Sequence, residues 1–488
     1  MKHKKGLVIL HIDGLSFEQF KKGLDQGYMP YTKKLMESEG YEVLRYRCGL
    51  PSTTSFVQAG ILYGENKNIP SFRWWDKKAG VEVQFGPQTT FHKVAHRYFH
   101  KSEPLTKNGA CIATCFPGGA KQTFALAYRR RVEHSQSKTM RLQLITRWLI
   151  NPFHILDWLY YSMWIILRLT FVYLYTKLTG GHLVFLFVMG DLMNELFLHH
   201  ITRFATGLAM KGNYPIIYAA FYAYDETAHA FSPQHPFSTQ MLFQVDRTIK
   251  YIATKRNPKN EKFDYELLVL SDHGQVATIP LHDVIGKGLR EKLAEFLPHY
   301  RIHDMTGQSN ELGDRIDGHI EITYSGAIAH IYFIDVSWRL TYQEIQKKFP
   351  KLISKILKIQ GIEGMLVRDG QKHLFITQKH TFVLGKKLSP DARKYLSQYD
   401  DPTIVAKQLI KLNDFETVGD IILFGAFQQQ KQVNFEDQAG GHGGMGGEQG
   451  FPFIMGKKEW NLKTDQIYDA TQVYSLLKKL KNKIQKTS

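Results

Sequence analysis

Cysteine is scarce: Cys48, Cys111 and Cys115 are the only three in 488 residues, an odd number without the paired spacing of a zinc knuckle. A disulfide framework is thereby excluded as the organising device, and a reducing compartment fits. Long uncharged apolar runs are missing too. In the most apolar stretch, Arg141 to Ala205, the charges of Asp157, Arg168, Lys177 and Asp191 leave uncharged runs of 10, 8 and 13 residues. These fall short of the ~18 that signal a membrane span. A charge near mid-membrane, as Arg168 would be, costs roughly 2.5–3.5 kcal/mol, so a spanning helix is not expected. A secretory leader is also not expected: MKHKK is basic, but GLVILHIDG is too short for its apolar region and ends in Asp-Gly without a small-residue cleavage site. The expected location is therefore cytoplasmic, with at most peripheral contact with a membrane. Nothing in the chain looks repetitive or disordered, and 43% hydrophobic content suits a globular chain with one large core or two ordinary ones. Acidic residues are outnumbered, 45 against 63 basic ones, for a net charge of +18. That balance favours an anionic partner such as a phosphate ester, nucleic acid or an anionic membrane face, without choosing among them.

What is present is organised around GLPSTTSFVQAGILYG, Gly49 to Gly64. The alternating YEVLRYRC before it reads as a strand, and Leu50-Pro51-Ser52 breaks the extended pattern. A short helix then follows, with Thr53 or Thr54 at its N-cap or in its first turn. A hydroxyl there faces whatever anion the free N–H groups and the positive helix end attract, which is where a nucleophile toward phosphate is useful.

Residues that could bind metal stand at the ends of apolar strands. GLVILHI is a buried strand pattern ending in Asp13-Gly14, and ligands in open α/β sheets bind at such edges. Ile216 to Tyr224 delivers Asp225 and, four residues on, His229, a spacing that puts both on one helical face within reach of one ion. YELLVLSDHGQ ends in Asp272-His273-Gly274, whose adjacent side chains diverge and so suit one crowded cluster or two neighbouring sites. His442 sits within a glycine-rich tract, FEDQAGGHGGMGGEQG, that resumes as an apolar segment, unlike a plain linker. ACIATCFPGGAKQ adds another strand and a Gly-Gly turn without a readable role.

Between these motifs, Thr179-Gly180-Gly181 divides the aromatic stretch into two helical runs, about Asn151 to Leu178 and His182 to Phe204, an apolar hairpin that either contacts lipid or is buried. Further on, SGAIAHIYFIDV, one amphipathic helix in TYQEIQKKFPKLISKILKI, and the strands GMLVRDG and HLFITQ form a β-α-β arrangement; GDIILFGAF then reads as a returning buried strand. The expected division is a catalytic core in three parts, residues 1–140, 206–290 and 411–488. The hairpin at 141–205 and a small α+β subdomain at 291–410 are inserted, and a basic amphipathic helix closes the chain.

In order, Asp13, the Thr turn, Asp225-x3-His229, Asp272-His273-Gly274 and His442 resemble the alkaline phosphatase superfamily, nearest its type I phosphodiesterase and nucleotide pyrophosphatase branch. The resemblance implies an α/β fold, a three-layer α/β/α sandwich with a mixed, mostly parallel sheet. In that family the nucleophile lies ten residues before a Gly that closes its helix, which selects Thr54 from Gly64. The resemblance further implies two divalent ions, zinc or manganese, with Asp225, His229 and His442 on one and Asp13, Asp272, His273 and Thr54 on the other. The implied activity is phosphoric ester hydrolysis, as a phosphodiesterase acting on a phosphate-ester substrate; the apolar hairpin, outside the resemblance, leaves room for a lipid-like one, no specific nucleic acid binding is expected, and the oligomeric state is not readable. Thr54-Ser55-Phe56-Val57-Gln58 lacks the convertible residue and the Arg of a sulfatase. The Pro and Asn that follow the nucleophile in nucleotide pyrophosphatases are also missing, so nucleotide specificity is left open. A phosphomonoesterase or phosphomutase of the superfamily is the alternative. A catalytically dead membrane-surface binding protein would call for damaged ligands, whereas all six are intact.

Overall fold

Alternation along the first strand sets the layers of the molecule. In the computed structural model, which describes residues 4–84, 90–124, 146, 150, 152–179, 198–256, 263–305, 309–310 and 315–486, Lys4–Ile12 lies inside a seven-stranded sheet. Successive side chains of a strand point to opposite faces. Leu7 and Ile9 accordingly join the core that holds Phe56, Val57, Leu62, Val473 and Leu477 of helices Thr54–Tyr63 and Ala470–Lys486. Val8, Leu10 and Ile12 join the opposite core, with Phe20, Leu35, Met241, Val245 and Ile249. Helices thus cover both faces, which gives the expected three layers.

The strand order is Tyr41–Arg45, Phe453–Lys457, Phe263–Leu270, Lys4–Ile12, Ile216–Phe221, Ala110–Ile112, Gln122–Phe124. Only Phe453–Lys457 runs against its neighbours, so the sheet is mixed and mostly parallel. Register brings the chemistry together: Ile12 pairs with Phe221 and His11 with Leu270, so three C-terminal strand ends are nearly flush. Asp13 and Asp272 stand in the turns leaving the first and last of them, and Asp225 in the first turn of the helix that follows Ile216–Phe221.

A second seven-stranded sheet follows the order Tyr300–Asp304, Gly318–Ser325, Ile328–Phe333, Ile421–Gly425, Ile362–Asp369, Lys372–Ile376, Thr381–Leu384. Only its first two strands are parallel. Two sequence expectations change here. The buried strand expected to return to the catalytic core, Ile421–Gly425, lies instead at the middle of this second sheet. The single helix expected between Thr341 and Ile359 is two, Tyr342–Lys348 and Leu352–Leu357. Pro350 stands between them, and it can neither donate into a helix nor leave the preceding residue free to be helical.

Of the expected apolar hairpin, the first arm is the helix Pro152–Thr179, and residues 180–197 fall outside the described residues. The end of the second arm belongs to the helix His199–Lys211, whose Ala205, Ala209 and Met210 are part of the core. On Pro152–Thr179, Ile165 is buried while Leu156, Tyr160, Met163, Trp164, Leu167, Phe171 and Leu174 are exposed. Among the described residues, no helix is long and apolar enough to cross a membrane.

Candidate active site

The helix Thr54–Tyr63 starts at the sheet's C-terminal edge, with Thr53 as its N-cap and Gly64 closing it in the left-handed region. Thr54, in its first turn, points its hydroxyl at the strand ends. Its Oγ1 donates to Asp13 Oδ1 at 3.4 Å and lies 3.1 Å from His273 Nε2. Thr53 Oγ1 is buried without a hydrogen-bond partner.

Around Thr54 the structure gathers all six other residues expected from the sequence. Asp225, His229 and His442 offer ligand atoms within 4.8 Å of one another, as do Asp13, Asp225 and His273. The helix Ala223–Phe231 carries Asp225 and His229 one turn apart, with His229 Nε2 at 3.1 Å from Asp225 Oδ2. His273 Nε2 lies 3.4 Å from both Asp13 Oδ1 and Asp272 Oδ2. The short strand Gly440–Gly441, paired with Val276–Pro280, delivers His442, whose ring stacks on that of His273 at 3.9 Å.

The three imidazoles share one arrangement. Nδ1 of His229 faces Gly440 O at 2.8 Å, Nδ1 of His273 faces Gly274 O at 3.0 Å, and Nδ1 of His442 faces Ser52 O at 2.7 Å. A carbonyl can only accept, so each Nδ1 carries a proton and each Nε2 is the nitrogen left to face the carboxylates. This is how a protein fixes the tautomer of a metal-binding histidine. The carboxylates are anchored similarly: Asp272 Oδ1 accepts from the backbone N–H groups of His273, at 2.9 Å, and Gly14, at 3.3 Å. Gly14 is obligatory, since its φ is +70° and a Cβ there would fall 2.1 Å from Asp225 Oδ1.

Three carboxylates enclosed together repel one another. Burial raises the Asp13 carboxyl well above its ordinary range, and the charges of Asp272 and Asp225 raise it further. Burial also pushes Asp225 up, but His229 outweighs it and holds the group below the usual carboxylate range; His273 and His11 do the same for Asp272. Although burial alone would lower His229, Asp225 lifts it to about 9, whereas burial and His273 take His442 down to about 3. Asp272 Oδ2 is buried without a hydrogen-bond partner. Oriented Nε2 atoms, crowded carboxylates and an orphaned carboxylate oxygen form a donor set that fits divalent cations.

Sequence reasoning missed four residues. Ser52 and Gln275 orient ligands: Ser52 O holds His442, Ser52 Oγ accepts from Gly443 N at 2.9 Å, and Gln275 Nε2 donates to Asp225. His11 and Gln58 lie directly behind the cluster, His11 on the same face of its strand as Asp13. A lone histidine in an otherwise apolar strand, two residues before the strand-end aspartate, is the signal that was there to read.

A family model for type I phosphodiesterase / nucleotide pyrophosphatase matches residues 7–349. No curated protein sequence matches the chain. Among solved structures, phosphonoacetate hydrolase from Sinorhizobium meliloti 1021 in complex with phosphonoacetate is similar, with a TM-score of 0.53 at 13% identity, covering 98% of this chain and 96% of that one. The same enzyme in complex with phosphonoformate gives 0.50 at 14% identity with the same coverage. A murine ectonucleotide pyrophosphatase / phosphodiesterase 5 gives 0.47 at 14%, covering 98% and 95%. At these identities the structural likeness speaks for the fold alone.

Proposed function

Because the chain belongs to the type I phosphodiesterase / nucleotide pyrophosphatase family of the alkaline phosphatase superfamily, and is thus a hydrolase of phosphoric ester bonds, we propose that it is a phosphodiesterase using Thr54 as nucleophile and two divalent ions, zinc or manganese. The observation that carries this reading is the set of three histidines with Nδ1 tied to carbonyls and Nε2 turned toward three carboxylates around one threonine hydroxyl. Asp225, His229 and His442 would hold one ion, and Asp13, Asp272 and His273, with Thr54, the other. When bound, such ions supply positive charge that lowers a hydroxyl pKa and neutralises phosphate oxygens.

The remaining steps fall to the chain's own groups. Thr54 Oγ, losing its proton on the side of Asp13, bonds to phosphorus as the bond to the leaving ester oxygen breaks, and the alcohol departs with a proton. Water then cleaves the threonyl phosphoester, releases the phosphate product and restores the hydroxyl. The first turn of the helix bearing Thr54 adds free N–H groups and the positive end of its dipole for the anion.

A diester is favoured over a monoester because no arginine follows Thr54 until Arg73, and the extra charge of a monoester calls for a nearby cation. The expected result is a kcat/KM at least about tenfold higher for an aryl diester than for the monoester with the same leaving group, since that ratio is about 1.4 kcal/mol of differential transition-state stabilisation. Measured with Thr54→Ala as background, a tenfold monoester preference would replace this reading by that of a phosphomonoesterase. Phosphate transfer between sugar positions without net release would indicate a phosphomutase.

The exposed apolar face of Pro152–Thr179 supports peripheral lipid contact, with the basic charge favouring anionic headgroups. Flotation with anionic phosphatidylserine vesicles should carry the protein upward and a high-salt wash should weaken the association. No flotation on either anionic or neutral vesicles would remove lipid from the proposal.

A further inference from the structure

Beneath the strand ends sits a fourth histidine, whose surroundings differ from those of the other three. His11 is wholly enclosed. Its Nε2 lies 3.0 Å from Asp272 Oδ1 and 3.9 Å from Asp13 Oδ1, and the three residues offer ligand-type atoms within 4.8 Å of one another. Period-two alternation puts His11 and Asp13 on one face of the strand, so the ring lies under the carboxylate pair.

The opposite nitrogen is the informative one. Nδ1 of His229, His273 and His442 faces a carbonyl, but Nδ1 of His11 faces Gln58 Nε2 at 3.4 Å and the Tyr218 hydroxyl at 3.2 Å. The Gln58 amide is oriented by its other end, because its Oε1 accepts from Cys115 N at 2.9 Å. Its NH₂ is therefore the end turned toward Tyr222 OH, at 3.2 Å, and toward His11. With donors on that side, Nδ1 is the accepting nitrogen and the ring proton belongs on Nε2, facing Asp272. A neutral imidazole with its proton on Nε2 has no lone pair there to give a metal. Gln58 lies four residues after Thr54, one helical turn along the same face. A chain of contacts thus runs from the helix of Thr54 through Gln58 and His11 to Asp272.

We infer that His11 is a positioning residue and not a ligand: its Nε2–H sets Asp272 toward the second ion, and Gln58 ties that setting to the helix that carries Thr54. The inference rests on the two-ion reading. Outer partners of this kind typically change metal affinity by about 10- to 100-fold. A residue with a purely structural role would move stability, or both ions together.

The test is equilibrium dialysis of chelator-stripped full-length protein against graded zinc, and separately manganese, counting bound ions for the wild type, His11→Phe and His11→Gln. Phe keeps a planar ring without a donor, whereas Gln keeps an N–H near the Nε2 position. The expected result is a wild type with two ions, a Phe variant in which one ion binds normally and the other about 10- to 100-fold more weakly, and a Gln variant within about threefold of wild type. Circular dichroism of the stripped proteins controls for folding, and His11→Leu replaces the Phe variant if the larger ring is not accommodated. Wild-type affinity for both ions in the donor-free variant overturns the inference and leaves the two-ion reading standing. A Gln variant as weak as Phe also overturns it, since the imidazole itself would then be required. A wild type that takes up no second ion removes both readings together.

Discussion

Thr54→Ala is expected to reduce kcat about 10⁴- to 10⁶-fold, the scale on which loss of a covalent nucleophile is felt when the rest of the site still binds and stabilises the transition state. Metal content should change little, because six carboxylate and imidazole ligands remain. Thr54→Ser should keep measurable turnover, since the hydroxyl is retained and only the methyl that limits its rotamers is lost. Thr53→Ala serves as the neighbouring control. Thr53 caps the helix through its backbone and its Oγ1 has no partner, so its loss should cost less than about tenfold. Trapping with a slow aryl diester and mapping the modified peptide gives the direct answer. A phosphoryl adduct on Thr53, or equal losses from both alanine variants, would reverse the assignment.

That contrast also marks how far the sequence could be read. The residues of the Thr turn allowed either hydroxyl, and the interval to Gly64, supplied by the family resemblance, separated them. Asp13, Asp225 and Asp272 were legible because each follows an apolar run long enough to be a strand, and parallel strands expose ligands at one edge. His442 was legible only as an oddity in a glycine tract. What makes it useful is Ser52 O, 390 residues away in sequence, and no local pattern encodes that contact. The same limit hid His11, whose neighbours Gln58, Tyr218 and Asp272 come from three other elements.

The architecture was legible to a similar depth. Continuous apolar runs with ligand-type residues at their ends pointed to the central strands of the main sheet, but an all-apolar pentapeptide such as Ile421–Gly425 looks the same in either sheet. Its place is decided by pairing with Ile328–Phe333 and Ile362–Asp369, which is tertiary information. Pro350, by contrast, was visible in the sequence and should have split the helix between Thr341 and Ile359 from the outset.

Removing metal is expected to have the second large effect, on activity and stability together. Chelation should bring turnover to the Thr54→Ala background, and zinc or manganese added back should restore it. The stability change follows from the electrostatics of the cluster. Without cations, the enclosed carboxylates Asp13, Asp225 and Asp272 can be relieved only by taking up protons or by the histidines, and Asp13 is already raised by burial and by its two neighbours. Ions that bind the folded chain alone stabilise it by mass action, about 4 kcal/mol for each site held at ~1,000 times its Kd. The melting temperature should therefore fall by several degrees on chelation and recover with added ion, in proportion to the logarithm of its concentration. His442→Asn and Asp272→Asn divide the effect, because His442 belongs to the group of Asp225 and His229 alone and Asp272 stands outside that group, so each should leave about one ion bound per chain. Fewer than one ion per chain at saturating zinc or manganese, with activity and melting temperature both indifferent to chelator, would leave the clustered carboxylates and imidazoles without the cations that their arrangement calls for, and the two-metal reading of the site would fall.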